Sequence, residues 1–214
     1  MRRNHLTTHS VSAMGLPRLI VVTDWTLPED THRTALEAVA ALGPDLCIQH
    51  RDSGAPVRTF LERARWLAVM TGRSGAQLAI NGRLDVALLV DAHLHLPVDG
   101  PRPGEVRPFL PAGRWISAAV HSEAELSEAR GCDAALLSPV FSPGSKPGDT
   151  RPPLGPEGFE RLVRRAMPTP CYALGGMTPE RLRTLTPCQG AAVQSHVLRA
   201  PDPAASARAF LSTR

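Results

Sequence analysis

The 214-residue chain reads as an α/β protein, a single (β/α)8 TIM barrel, and three observations carry that assignment. From Leu16 onward, short β-rich runs alternate with helical periodicity about eight times. Most of the runs are almost continuously apolar, as expected for parallel strands covered on both faces. Eight βα units in about 200 residues suit a closed barrel better than a doubly wound sheet, which needs fewer strands and a reversal of strand order.

The expected strands are, in order, 19–22, 46–49, 77–80, 94–96, 115–120, 134–137, 172–174 and 191–194. Between the second and third, Val57, Phe60, Leu61, Ala64, Leu67 and Ala68 recur at the spacing of a core-facing helix, and Phe159, Leu162, Val163 and Ala166 repeat it after the sixth. Ser122 stands three residues before Glu125 as a capping box, and Thr178 precedes Pro179 as cap and first helical residue. In the fourth unit, Pro97, Pro101, Pro103, Pro108 and Pro111 leave room only for a short helix around 105–110. The longest connection runs from Pro139 to Gly155.

With 43% hydrophobic and 21% charged residues, the chain has the composition of one soluble domain, expected over residues 16–214. The leader, residues 1–15, is polar and carries its own Met14; it is expected to be disordered or to reflect an early start codon. It lacks the apolar run of a secretory signal, and no stretch of eighteen apolar residues follows, so no membrane association and a cytoplasmic location are expected. The net charge of +4 is spread over helix faces and loops, with no basic stripe interleaved with aromatics, which argues against nucleic acid as a partner. Cys47, Cys132, Cys171 and Cys188 form no CxxC pair and read as reduced core residues.

Barrels place reacting groups at the carboxyl ends of their strands. There the chain offers Asp24; Gln49, Arg51 and Asp52; Asn81 and Arg83; His121 and Ser122; the segment from Ser138 to Lys146; Gly175 and Gly176; and Ser195 with His196. Gly175-Gly176 before Met177-Thr178-Pro179 lets bare N–H groups approach an anion at a helix start, and the turn at Ser195 is positioned to share it, so a phosphate site is expected. A tight βα turn is the other reading of the two glycines. Lys146, in a Gly- and Pro-rich loop with Ser142 and Ser145, can clamp an anion or simply face solvent. His50, His95 and His121 are the imidazoles near strand ends, and none has a carboxylate partner visible in the sequence. Alternation along strand two puts Gln49 and Arg51 on one face and His50 on the other, against helices if the first pair faces the lumen.

Taken together, Val21-Val22-Thr23-Asp24, Ile48-Gln49-His50-Arg51, Asn81-Gly82-Arg83-Leu84-Asp85-Val86-Ala87, Val120-His121-Ser122, Ser138-Pro139-Val140-Phe141, Ser145-Lys146-Pro147 and Leu174-Gly175-Gly176-Met177 resemble the thiamine-phosphate synthase superfamily, which includes the thiazole tautomerases. The likeness spans nearly all of residues 16–211. For the synthase branch it implies Mg²⁺-dependent loss of pyrophosphate from a hydroxymethylpyrimidine and attack by a thiazole-phosphate nitrogen, with Gln49, Arg51 and Lys146 at matching positions. The chain departs from that pattern at Gly82, where the metal-binding aspartate is missing, at Ser53 for a lysine, at Ala119 for a serine, and over His95-Leu96-Pro97-Val98-Asp99. Asn81-Gly82-Arg83, Leu96-Pro97 and Gly175-Gly176-Met177-Thr178-Pro179 look more like the tautomerase branch, which shifts a proton in a carboxylated thiazole phosphate. One tautomerase pattern has its acid/base histidine where this chain has Pro139, which leaves His121 as the substitute.

The resulting expectation is a barrel that binds a small phosphorylated thiazole and acts as a tautomerase-like isomerase. The alternatives are a synthase transferase and a non-catalytic ligand-binding homologue. Arg51, His121 and Lys146 are the expected catalytic residues, and Gln49, Asn81, Ser142, Ser145, Gly175, Gly176 and Ser195 the expected substrate-binding ones. No metal ligands are assigned: the isomerase needs no cofactor, whereas the synthase needs Mg²⁺. Assembly into a homo-oligomer is left open.

Overall fold

The structure, a computed structural model, describes residues 15–142 and 152–213. The expectations for the leader up to Met14, and for Ser145 and Lys146, lie outside the described residues.

Eight parallel strands close into one barrel in sequence order: β1 (Leu19–Val22), β2 (Leu46–His50), β3 (Gln77–Asn81), β4 (His93–Leu96), β5 (Ile116–Val120), β6 (Ala134–Leu137), β7 (Cys171–Leu174) and β8 (Gly190–Val193). Closure is made by β1 on β8, with Leu19 opposite Ala191 and Val21 opposite Val193. The surrounding helices are α1 (Glu29–Ala40), α2 (Val57–Ser74), α3 (Leu84–Leu89), α4 (Pro103–Val106), α5 (Glu123–Glu128), α6 (Gly155–Ala166), α7 (Pro179–Arg183), α8 (Ser195–Leu198) and α9 (Pro203–Leu211). In the proline-rich fourth unit the expected helix is α4 followed by a 3₁₀ turn, Arg107–Phe109. Ser122 and Thr178 cap α5 and α7 by accepting from the N–H groups of Glu125 and Arg181.

Strand alternation divides the core in two. Leu19, Val21, Leu46, Ile48, Ile80, Leu94 and their equivalents pack outward against helix residues such as Leu36, Phe60, Leu67 and Phe159. Ile20, Cys47, Ala79, Trp115, Leu136, Tyr172 and Ala192 point into the lumen. The amino-end of the barrel is plugged. His93 stacks on Trp115 at 4.3 Å, and Trp115 Nε1 donates to Gln77 Oε1 at 2.8 Å. Gln77 Nε2 in turn donates to the carbonyls of Gly15 and Pro44, while the Tyr172 hydroxyl donates to Pro17 O at 2.5 Å. The Trp115, Gln77 and Tyr172 donors taken into this plug each keep an acceptor, so they avoid the penalty of an unmatched buried donor.

Four histidines, His32, His50, His93 and His95, are at most 4% exposed. Three of them accept a hydrogen bond on a ring nitrogen, from Asp24 N–H, Trp25 Nε1–H and Trp115 N–H respectively, so those nitrogens carry no proton. Burial pushes His32 and His50 down to about 4, and His93 and His95 down to about 3, from an ordinary 6.5. The unfolded chain therefore binds protons on these rings near pH 6.5 while the native protein does not, and stability present above that pH is lost as the pH falls. Urea midpoints should decline already between pH 7 and pH 5, with each imidazole adding up to about 1.4 kcal/mol per pH unit. A midpoint that stays flat down to pH 5 would contradict this.

Candidate active site

A cavity of about 910 Å³ opens at the carboxyl ends of the strands. Its lower wall comes from lumen-facing strand residues: Gln49, Asn81, His95 and Ala119. Its rim comes from the βα loops: Arg51, Ser53, Asp99, His121, Ser138, Ser142, Gly175, Gly176, Arg181 and Ser195. The structure thus brings together Gln49, Arg51, Asn81, His121, Ser142, Gly175, Gly176 and Ser195, all singled out in the sequence.

Arg51 is fixed at the end of β2 by a reciprocal pair, its N–H donating to Thr23 Oγ1 at 3.0 Å and its carbonyl accepting from the same hydroxyl at 2.9 Å. Among the described residues its guanidinium has no acidic partner. Three other arginines are neutralised: Arg63 by Asp52 at 2.5 Å, Arg83 by Asp85 at 2.6 Å and Arg199 by Asp24 at 2.8 Å. These pairs correct the expectation for the mouth. Asp24, Asp52 and Arg83 sit after strand ends but do not line the cavity, because each is satisfied by a neighbour on the rim. The Asp24 carboxyl is held low by hydrogen bonds from Thr26 and Arg199, which outweigh its partial burial.

His50 faces away from the lumen, as alternation requires, accepting from Trp25 Nε1 at 3.2 Å with its Nε2 3.1 Å from Phe60 O. His121 does line the cavity, and it has a carboxylate partner after all: Glu125 Oε2 lies 2.7 Å from Nδ1 and accepts from the His121 N–H at 2.6 Å. The first turn of α5 folds Glu125 back over the strand end, one residue before the cap that the sequence pattern assigns to it. Nδ1 is thereby engaged, which leaves Nε2 as the ring nitrogen open to a ligand.

Gly175 and Gly176 have φ of +96° and +58°. A Cβ on Gly175 would lie 2.9 Å from Pro139 Cα, and one on Gly176 only 2.7 Å from Ser142 O. The geometry is that of a tight turn: the pair takes a conformation only glycine adopts comfortably, and it brings bare backbone against the loop that follows β6. Among the described residues, no acceptor meets the N–H groups of Gly175 and Gly176. Arg181, which the sequence did not single out, donates to Gly176 O and stacks over Phe141 with its guanidinium carbon 4.7 Å from the ring centroid. Its signal was available only as a basic residue one turn into the helix after the glycines.

A divalent cation fits this donor set poorly. Asp99 is the one carboxylate among the lining residues, and no three His, Cys, Asp or Glu side chains of the described residues converge as ligands. Gly82, at φ +69° beside Pro97, offers no oxygen from a side chain. Mg²⁺ commonly takes one or two carboxylates together with substrate phosphates; here the protein supplies at most the first. Among the described residues no helix is long and apolar enough to cross a membrane.

The family model described as thiamine monophosphate synthase matches residues 19–197. The chain is 36% identical over 197 residues to a thiamine-phosphate synthase of Methanoculleus marisnigri, covering 90% of this chain and 92% of that one. It is 34% identical to that of Chloroflexus aurantiacus, covering 89% of each. A thiamine phosphate pyrophosphorylase from Pyrococcus furiosus superposes with a TM-score of 0.78 at 27% identity, over 92% of this chain and 94% of that one. A 3-hexulose-6-phosphate synthase from Salmonella typhimurium, at 14% identity and a TM-score of 0.67 over 92% and 97% of the two chains, shares the fold alone. The likenesses favour the synthase alternative and lend no support to the tautomerase-like reading. Eight strands in sequence order, a cavity at their carboxyl ends and a family match over most of the chain converge: this protein belongs to the thiamine monophosphate synthase family.

Proposed function

We propose that the chain is a transferase that joins a hydroxymethylpyrimidine diphosphate to a thiazole phosphate, releasing pyrophosphate. The observation that carries this reading is the match at about one-third identity along nearly the whole length of named synthases, combined with a cavity lined both by a glycine turn and by Arg51, which has no acidic partner among the described residues. The C–O bond to the diphosphate breaks with the electron pair leaving on oxygen, and the thiazole nitrogen forms the new C–N bond at the same carbon. No proton changes hands, so the site must chiefly supply positive charge and alignment.

The residues divide accordingly. Arg51 faces the leaving diphosphate with a planar fork suited to phosphate oxygens. Gly175, Gly176, Ser142 and Ser195 take the thiazole phosphate through N–H and hydroxyl donors. Gln49 and Asn81, joined by an amide hydrogen bond of 3.3 Å, align the deeper substrate. His121, steadied by Glu125, offers Nε2 to phosphate oxygen instead of acting as an acid/base. Mg²⁺ carried in by the diphosphate would add charge neutralisation; the described residues build no site of their own for it, and none of the roles above depends on one.

The test is to incubate the protein with both substrates and measure thiamine phosphate and pyrophosphate, which should appear in equal amounts. Arg51→Ala should lower kcat/KM about 100-fold, while thiazole phosphate binding, read by calorimetry in the presence of EDTA, should not change. Turnover of a carboxylated thiazole phosphate to its aromatic isomer, without any joining reaction, would replace this reading with the tautomerase one.

A further inference from the structure

One residue just past the end of β1 directs each of its polar groups to a different neighbour. Thr23 is buried and does not line the cavity. Its N–H donates to Gln49 O at 3.0 Å, continuing the parallel ladder in which Val22 stands opposite Gln49. In such a ladder the following rung would run from Arg51 N–H to Thr23 O. A different bond is formed. Arg51 N–H donates to Thr23 Oγ1 at 3.0 Å, and the same hydroxyl donates to Arg51 O at 2.9 Å. The Thr23 carbonyl is thereby released, and Gln194 Nε2, from the end of β8 on the other flank of β1, donates to it at 2.9 Å.

Exchanging carbonyl for hydroxyl has a geometric consequence. A carbonyl only accepts, whereas a hydroxyl donates and accepts at once, so it grips Arg51 at both N–H and C=O and fixes the peptide planes on either side of its Cα. Arg51 and Gln194 both line the cavity. With no acidic partner among the described residues to hold the guanidinium, the reach of Arg51 starts from the point at which this grip sets its backbone. The adjacent Asp24 is committed to Thr26 and Arg199. Thr23 thus ties β1 to a cavity-lining side chain on each flank. Valine has the same shape without the hydroxyl; with it, Arg51 N–H would compete with Gln194 for one carbonyl or stay unmatched, and either outcome displaces a cavity wall.

We propose that Thr23 is a positioning residue for the transferase: its hydroxyl sets the backbone from which Arg51 reaches the leaving diphosphate, and its carbonyl, freed by that exchange, holds Gln194. The inference rests on the synthase reading and adds to it a residue that lies outside the cavity.

The test is a double-mutant cycle read by calorimetry of the full-length protein with inorganic pyrophosphate, at one fixed Mg²⁺ concentration. Thr23→Val should weaken pyrophosphate binding about 10-fold, and Thr23→Ser, which keeps the hydroxyl, should bind as the wild type does. Arg51→Ala should also weaken binding. Adding Thr23→Val to Arg51→Ala should then change nothing further, because a residue that acts through the guanidinium has no effect once it is gone. Thr23→Ala goes through the same cycle, so that the result does not depend on one variant folding. Undiminished affinity in the variants without the hydroxyl, or a loss of the same size with and without the Arg51 side chain, overturns the inference and leaves the synthase reading standing. Failure of both variants to fold also overturns it, by assigning Thr23 to the barrel itself. A wild type that binds no pyrophosphate, or binds it as well after Arg51→Ala, overturns both the placement of the diphosphate at Arg51 and this inference.

Discussion

Alanine at position 190 is expected to destabilise the barrel by about 3 kcal/mol or more, or to prevent folding outright. Gly190 opens β8 where that strand closes on β1, and a Cβ there would lie 2.0 Å from Arg18 O and 2.8 Å from Arg18 C. Both are backbone atoms. No rotamer change relieves the overlap, so the two strands must separate at the closure pair Leu19–Ala191. Gly72 is the appropriate comparison. It lies inside α2, nothing stands within 4 Å of its added Cβ, and its φ is not positive. Gly72→Ala should raise stability by about 0.5–1 kcal/mol, through helix propensity and a less disordered unfolded chain. Urea unfolding followed by circular dichroism reads both, and a Gly190→Ala protein with a native midpoint would show that closure is looser than the backbone contact implies.

Gly176→Ala should spare the fold and cripple the site. At φ +58° a Cβ costs about 1–2 kcal/mol in backbone strain. It would also sit 2.7 Å from Ser142 O, 3.0 Å from Phe141 Cβ and 3.2 Å from an Arg181 guanidinium nitrogen. Relief requires the loop after β6 to retreat, which carries Ser142 away from the proposed phosphate site and breaks the bond from Arg181 to Gly176 O. Thiazole phosphate affinity should fall about 100-fold, with a unfolding midpoint only modestly lower. Unchanged affinity would mean that the two glycines serve the turn and not the ligand.

The barrel was legible because its strands are buried on both sides, so that apolar runs marked them directly. The bounds of β1 and β6 are those expected. β4 was the least distinct, since His93 and His95 replace apolar residues on its lumen face and only Leu94 and Leu96 advertise the strand. The six residues of α3 are too few to display a helical period, and they passed without a signal of their own. In the site, position at a strand end was informative while orientation was not. Asp24 and Arg199 form their pair across 175 residues of sequence, and nothing local distinguishes a paired aspartate from one that faces a ligand. Glu125 was visible as a capping residue, but its second service to His121 depends on how the first turn of α5 meets the end of β5. The branch of the family is a related case: short motifs around Gly82 and Gly175 point to the tautomerases, whereas similarity accumulated over the whole chain favours the synthases.

The plug of Trp115, His93, Gln77 and Tyr172 bears on kinetics as well as stability. A lumen shut at one end behaves as a well with a single entrance, so two molecules that occupy it in depth must go in and come out in a fixed sequence. If the chain joins two substrates as proposed, the one that goes deepest, against Gln49, has to arrive before the one that fills the rim, because a filled rim would block its way in. Product-inhibition patterns for an ordered mechanism follow from that geometry, and random order of addition would mean that the rim yields enough to let one substrate pass the other.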